Sequence, residues 1–71
     1  MDSTSTTVVK QISEALARDP RTRKSVIDIG FNQGVVVLTG KVKSMTEVQA
    51  AEEITRAQSG VLSVVNELRV S

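Results

Sequence analysis

Five basic residues fall in two short segments, and their side chains are suited to binding an anion. They are Arg21, Arg23, Lys24, Lys41 and Lys43, and we call them the predicted basic cluster. A hairpin with a loop over residues 32–34 would bring Ser25 near Lys41, so both segments would share one end of the domain. A helix predicted to begin at the same end adds free N–H groups, which favour phosphate-like ligands.

The predicted basic cluster has three competing interpretations. Each Lys or Arg near an anionic membrane surface contributes about 1 kcal/mol, so the cluster predicts weak binding to phospholipid headgroups. The same charges could instead form a solvated cluster that keeps the domain soluble. A nucleic-acid site is disfavoured, because the only aromatic residue, Phe31, is expected in the core and no G-x-x-G loop is present.

Catalytic and metal-binding chemistry lacks its usual residues in this sequence. There is no Cys and no His, so the commonest general base and the commonest transition-metal ligand are missing. Ser44 is better interpreted as a helix cap than as a nucleophile, and Glu52 and Glu53 do not face each other on a helix. We therefore expect a non-enzymatic domain with no cofactor and no metal.

The length and charge of the chain limit its class. Its 71 residues allow one small core, and a formal net charge of +1 is far from that of a strongly basic nucleic-acid binder. No membrane-spanning run and no signal peptide are recognised. The sequence as given indicates a cytoplasmic protein. A domain excised from a larger or tandem-domain exported protein would be periplasmic or membrane-associated.

Two helices are predicted from the spacing of apolar residues. The first runs from about Thr6 to Arg18, with a cap among residues 3–5. The second runs over 45–58, and Ser44 and Glu47 form a capping box at its start. Residues 1–5 are expected to be disordered and residues 6–71 to form a single domain.

Three strands complete the predicted order of helix, strand, strand, helix, strand. Alternating or β-branched runs place them at 26–31, 35–42 and 61–70. This order predicts an α+β fold, an αββαβ two-layer sandwich whose three-stranded mixed sheet has both helices on one face. We expect the third strand beside the second, with a position beside the first as the rival arrangement.

The sheet face opposite the helices would be exposed. Val26, Val35, Val37 and Val65 lie on that face and would form an apolar patch. Such a patch, or an unpaired edge strand, predicts an alternative function in protein–protein interaction or weak self-association.

An ordered set of glycines and strand residues resembles the BON domain, which is named after bacterial osmotic-shock and nodulation-related proteins. The resemblance is carried by residues 34–42 (GVVVLTGKV), by Ala51 and Ile54 in the second helix, and by residues 60–70 (GVLSVVNELRV). It covers about residues 8–70.

The resemblance implies an αββαβ fold and a non-catalytic module that binds phospholipid membranes or their surfaces. An anionic phospholipid surface is therefore one expected partner, and another protein is the alternative. Many relatives are exported, whereas this sequence shows no export signal.

Four of the matched residues are expected to be structural. Gly34 and Gly60 would adopt positive φ, with Gly60 directly after the second helix, and Gly40 would permit a close backbone approach. Asn66 would lie on the inward face of the last strand and pin a neighbouring loop, with ligand binding as its alternative role.

Overall fold

The computed structural model describes residues 3–71 and has the predicted order of elements. These elements are helix α1 (Ser3–Arg18), strand β1 (Val26–Asn32), strand β2 (Val35–Val42), helix α2 (Met45–Arg56) and strand β3 (Ser63–Val70). The α+β class predicted from the sequence is confirmed.

Strand β2 lies at the centre of the sheet. It pairs antiparallel with β1 and parallel with β3, so the sheet is mixed and β3 lies beside β2 as expected. β2 is the strand richest in aliphatic residues, and its Val36 and Leu38 are completely buried. The central position follows, because only a strand flanked on both sides can exclude water from so many apolar side chains.

Both helices cover the same face of the sheet. The fully buried core joins residues of α1, β2 and α2, which are Val8, Ile12, Leu16, Val36, Leu38 and Ala51. Alternate residues of β1 and β3 point to the same side and pack against this core, and they include Ile27, Ile29, Phe31, Val64 and Leu68. Phe31 is therefore a core contact, as predicted.

Helix α1 begins at Ser3, three residues before the predicted start. Residues 3–5 have helical backbone, so the expected caps lie inside the helix, while residues 1 and 2 of the predicted disordered segment lie outside the described residues. Ser and Thr are weak helix formers, but Val8 is only 3% exposed. Burial of Val8 outweighs the low propensity of the preceding turn.

The hairpin between β1 and β2 is tighter than the expected three-residue loop. β1 extends to Asn32, which pairs with Val35, so the turn consists of Gln33 and Gly34 alone. Both have positive φ, 50° and 87°, as the commonest two-residue hairpin turns require. The expected left-handed conformation of Gly34 is confirmed.

The connection from α2 to β3 is longer than predicted. The helix ends at Arg56 rather than at residue 58, and Gly60 has positive φ but lies in a later turn. β3 begins at Ser63 rather than at residue 61.

The N–H groups of Leu62 and Ser63 donate to the carbonyl of Gly34. The start of β3 therefore contacts the hairpin turn where its pairing with β2 begins.

Gly40 is predicted to be essential for the pairing of β1 with β2. Its φ is 137°, and a Cβ at this position would lie 2.6 Å from the carbonyl oxygen of Val26. We expect Gly40→Ala to lower the free energy of unfolding by about 1–3 kcal/mol, measured by urea denaturation. Gly30→Ala is the matched control, because the nearest atoms to its Cβ would be 3.8 Å away. Equal stability of the two variants would contradict this role.

Candidate anion-binding site

One carboxylate oxygen of Glu47 joins the two basic segments. Oε2 accepts a hydrogen bond from the Ser25 hydroxyl at 3.0 Å and another from the backbone N–H of Lys43 at 2.8 Å. We call this pair of hydrogen bonds the Glu47 bridge. Ser25 follows Lys24 directly, so the bridge holds the segment before β1 beside the segment after β2.

Glu47 lies in the first turn of α2, where the helix dipole stabilises a negative charge. Ser44 is the N-cap, with extended backbone and a side chain that accepts from the Glu47 N–H at 3.4 Å. The capping box is therefore confirmed, except that the return hydrogen bond goes to the N–H of Lys43 instead of Ser44. The protein's own carboxylate thus occupies the helix start, which reduces the contribution expected there for an external anion.

Four residues of the predicted basic cluster have exposed side chains that form no ion pair among the described residues. They are Arg23, Lys24, Lys41 and Lys43. The structure places all four at the end of the sheet where β1 begins and β2 ends. Their positive charge faces solvent, where an anionic ligand can reach it.

Arg21 differs from the other four because two carboxylates hold it. Its Nε and Nη2 each donate to the carboxylate of Asp19 at 3.0 Å, and Nη1 lies 3.7 Å from Glu53. These hydrogen bonds lower the pKa of Asp19 and raise the pKa of Arg21. Glu53 lies more than one turn beyond Glu47 on α2, so the structure separates Arg21 from the remaining cations.

The Asp19 side chain also accepts from the backbone N–H of Arg21 at 2.8 Å. An Asp whose side chain accepts from the backbone N–H two residues later forms an Asx turn. The Asp19-Pro20 pair is a typical start for a turn. This local pattern could have indicated from the sequence that Arg21 pairs with Asp19.

Arg69 is a further cation at this end that was not included in the predicted basic cluster. The parallel register places it beside Lys41, on the sheet face opposite the helices. Arg69 is exposed and has no ion pair within residues 3–71. The sequence indicated the strand face of Arg69 but not the register of β3 against β2. We call Arg23, Lys24, Lys41, Lys43 and Arg69 the basic rim.

The loop that carries Arg23 and Lys24 is anchored by a buried hydroxyl. Thr22 is only 1% exposed, and its Oγ1 donates to the carbonyl of Leu16 at 2.6 Å. This bond satisfies a carbonyl at the end of α1 that has no partner within the helix. The sequence gives no signal of this burial, because Thr22 stands between two arginines.

Asn66 has a structural role at some distance from the cations. Its Nδ2 donates to the carbonyl of Val48 at 3.1 Å, and its Oδ1 accepts from the N–H of Leu68 at 3.1 Å. The inward position is confirmed, but Asn66 fixes helix α2 to the sheet rather than a loop. The helix that supplies Glu47 is therefore held against β3.

The four valines of the predicted apolar patch do not all lie together. Val35, Val37 and Val65 are neighbours on the exposed sheet face, with Val37 paired to Val65. Val26 lies at the other end of that face, and Asp28, Thr39 and Glu67 intervene. This polar row restricts the patch to three residues and leaves Val26 at the basic rim.

The Glu47 bridge is predicted to stabilise the fold as well as to position the cations. Glu47→Ala removes the acceptor for Ser25 and for the Lys43 N–H, so we expect a loss of about 1–2 kcal/mol in urea unfolding. Glu52→Ala on the same helix is the control, because it removes only a surface pair with Arg56 at 3.4 Å. Glu52→Ala should lower the free energy of unfolding by about 0.5 kcal/mol or less. Equal losses would mean that the bridge makes no special contribution.

Two further observations concern metals and membranes. Among residues 3–71, no group of His, Cys, Asp and Glu side chains is arranged to hold a metal ion. In the same part of the chain, neither helix has the length and apolar character needed to cross a bilayer.

Comparison with known proteins identifies the family. A search of curated proteins finds no match, whereas the family model for the BON domain matches residues 4–71. BON domains are generally non-catalytic binding modules associated with phospholipid binding, and they occur in periplasmic or membrane-associated proteins. The matched region includes every strand, all of α2 and nearly all of α1, so the chain belongs to the BON domain family.

Proposed function

We propose that this domain is a non-enzymatic module that attaches weakly to anionic phospholipid surfaces through the basic rim. The observation that carries the proposal is the Glu47 bridge, which brings Lys24 and Lys43 together at one end of the sheet. The pairing of Lys41 with Arg69 extends the positive charge to the third strand.

The spread of the basic rim favours a surface over a single small anion. Its cations lie before the start of β1, at and just after the end of β2, and near the end of β3. Neighbouring strands lie about 4.8 Å apart, so the rim spans roughly 10 Å. Phosphate groups of several adjacent lipid headgroups match this width better than one free phosphate does. A planar ligand also explains why the cations can remain exposed rather than converge on one point.

The expected affinity is low for a single domain. At about 1 kcal/mol for each cation near an anionic surface, five cations give about 5 kcal/mol, which corresponds to a dissociation constant below about 1 mM. Salt should weaken this attraction, since exposed charges are screened over about 8 Å at physiological ionic strength. Tandem or oligomeric copies would bind more tightly through avidity.

Protein–protein interaction through the exposed sheet face is the second candidate. Val65 is 42% exposed and lies beside Val37, so an apolar contact is available there. The acidic Asp28 and Glu67 border this patch. Face-to-face self-association with the strands of both copies in the same direction would bring these carboxylates together, whereas the opposite strand direction would separate them.

Lys43→Glu tests the lipid proposal most simply. The change replaces attraction by repulsion, so we expect at least about tenfold weaker binding to vesicles of phosphatidylglycerol and phosphatidylcholine. Co-sedimentation at low and physiological salt measures the effect. Lys10→Glu is the matched control, with the same charge change on the exposed side of α1, and should retain most of the binding.

Equal losses in Lys43→Glu and Lys10→Glu would show that only net charge matters and would contradict a specific rim. Absence of wild-type binding to these vesicles at either salt concentration would overturn the lipid proposal itself.

A further inference from the structure

Apolar side chains are exposed within the basic end of the domain. Val26 is 81% exposed, Met45 is 59% exposed and Val70 is 47% exposed. Large side chains of this kind are costly to leave in water without a compensating use, and a group of them indicates an interaction surface.

Strand and helix boundaries explain why these three residues share one end. Val26 is the first residue of β1 and pairs with Lys41, and Val70 is the last residue of β3 and pairs with Val42. Met45 is the first residue of α2, directly after its cap. The basic rim is drawn from the same boundaries, so cations and apolar side chains share this end.

We propose that Met45 and Val26 insert shallowly below the lipid headgroups while the basic rim contacts their phosphates, with Val70 at the margin of the inserted surface. This inference rests on the proposed function and adds a second source of affinity to it. The membrane interface has phosphate groups above and acyl chains below, which matches cations placed around apolar side chains.

Met45 is the side chain best suited to insertion. An unbranched thioether adapts to irregular surroundings, and its position outside the core allows it to move without disturbing the fold. The first turn of α2 is fixed by Ser44 and Glu47, so the backbone that presents Met45 is rigid.

Insertion changes the expected salt dependence. Salt screens the attraction between exposed charges but does not weaken the burial of apolar surface. A purely electrostatic contact should therefore disappear at high salt, whereas a contact with insertion should leave a salt-resistant remainder.

The test is a double variant, Met45→Gln with Val26→Thr, which keeps side-chain size and the net charge. We expect about threefold to tenfold weaker partition onto vesicles of equal phosphatidylglycerol and phosphatidylcholine, with the salt-resistant remainder abolished. Leu62→Gln is the control, since Leu62 is 83% exposed at the opposite end of the sheet. That variant should bind like the wild type. Urea unfolding checks that all variants are folded.

The depth to which Met45 inserts is measured directly, in addition to the vesicle-binding affinities. A nitroxide on the lipid acyl chain should broaden the NMR signal of the Met45 methyl group, which is assigned as the methionine methyl signal lost in the double variant. Wild-type binding with an unbroadened Met45 methyl and an unaffected double variant would overturn insertion but leave the lipid proposal intact. No wild-type binding would overturn both, and an equal loss in Leu62→Gln would overturn the location of the inserted surface.

Discussion

The carboxylate of Glu47 lies between two chain segments that would otherwise repel each other. One oxygen accepts from the Ser25 hydroxyl and from the backbone of Lys43, while the same residue completes the cap of α2. Because both partners are neutral donors, the neighbouring Lys24 and Lys43 ammonium groups remain exposed and unpaired within the described chain. One side chain thus supports the start of α2, the contact between the segments before β1 and after β2, and the cationic surface that these segments carry.

The contacts that stabilise the fold and the surface proposed to bind lipid involve different residues. Val36 and Leu38 of the central strand, buried beneath both helices, supply the core, and Asn66 fixes α2 to β3. The basic rim supplies none of these contacts. Cations and exposed apolar side chains can therefore be arranged at the end of the sheet with little cost to the fold, which is the layout expected of an attachment module in the BON domain family.

The elements were predictable because their local patterns are strong, and β2 has the predicted bounds. The finer features were not predictable, because they depend on contacts between distant residues. Arg21 pairs with Glu53 on α2, and Arg69 joins Lys41 only through the parallel register. The pairing of Arg21 with Asp19 is the exception, because it lies within a local turn. Local sequence indicates charge, strand direction and short-range pairs, but whether the other cations are free or paired is decided by tertiary packing.

A map of the lipid contact on the wild-type domain distinguishes the basic rim from the exposed sheet face. Backbone amide signals would be recorded with anionic and with purely zwitterionic lipid nanodiscs at physiological salt. We expect line broadening confined to residues 23–26, 41–47 and 69–70, and only with anionic lipid. Broadening centred on Val35, Val37 and Val65, or equal broadening with zwitterionic lipid, would contradict the basic rim as the contact surface.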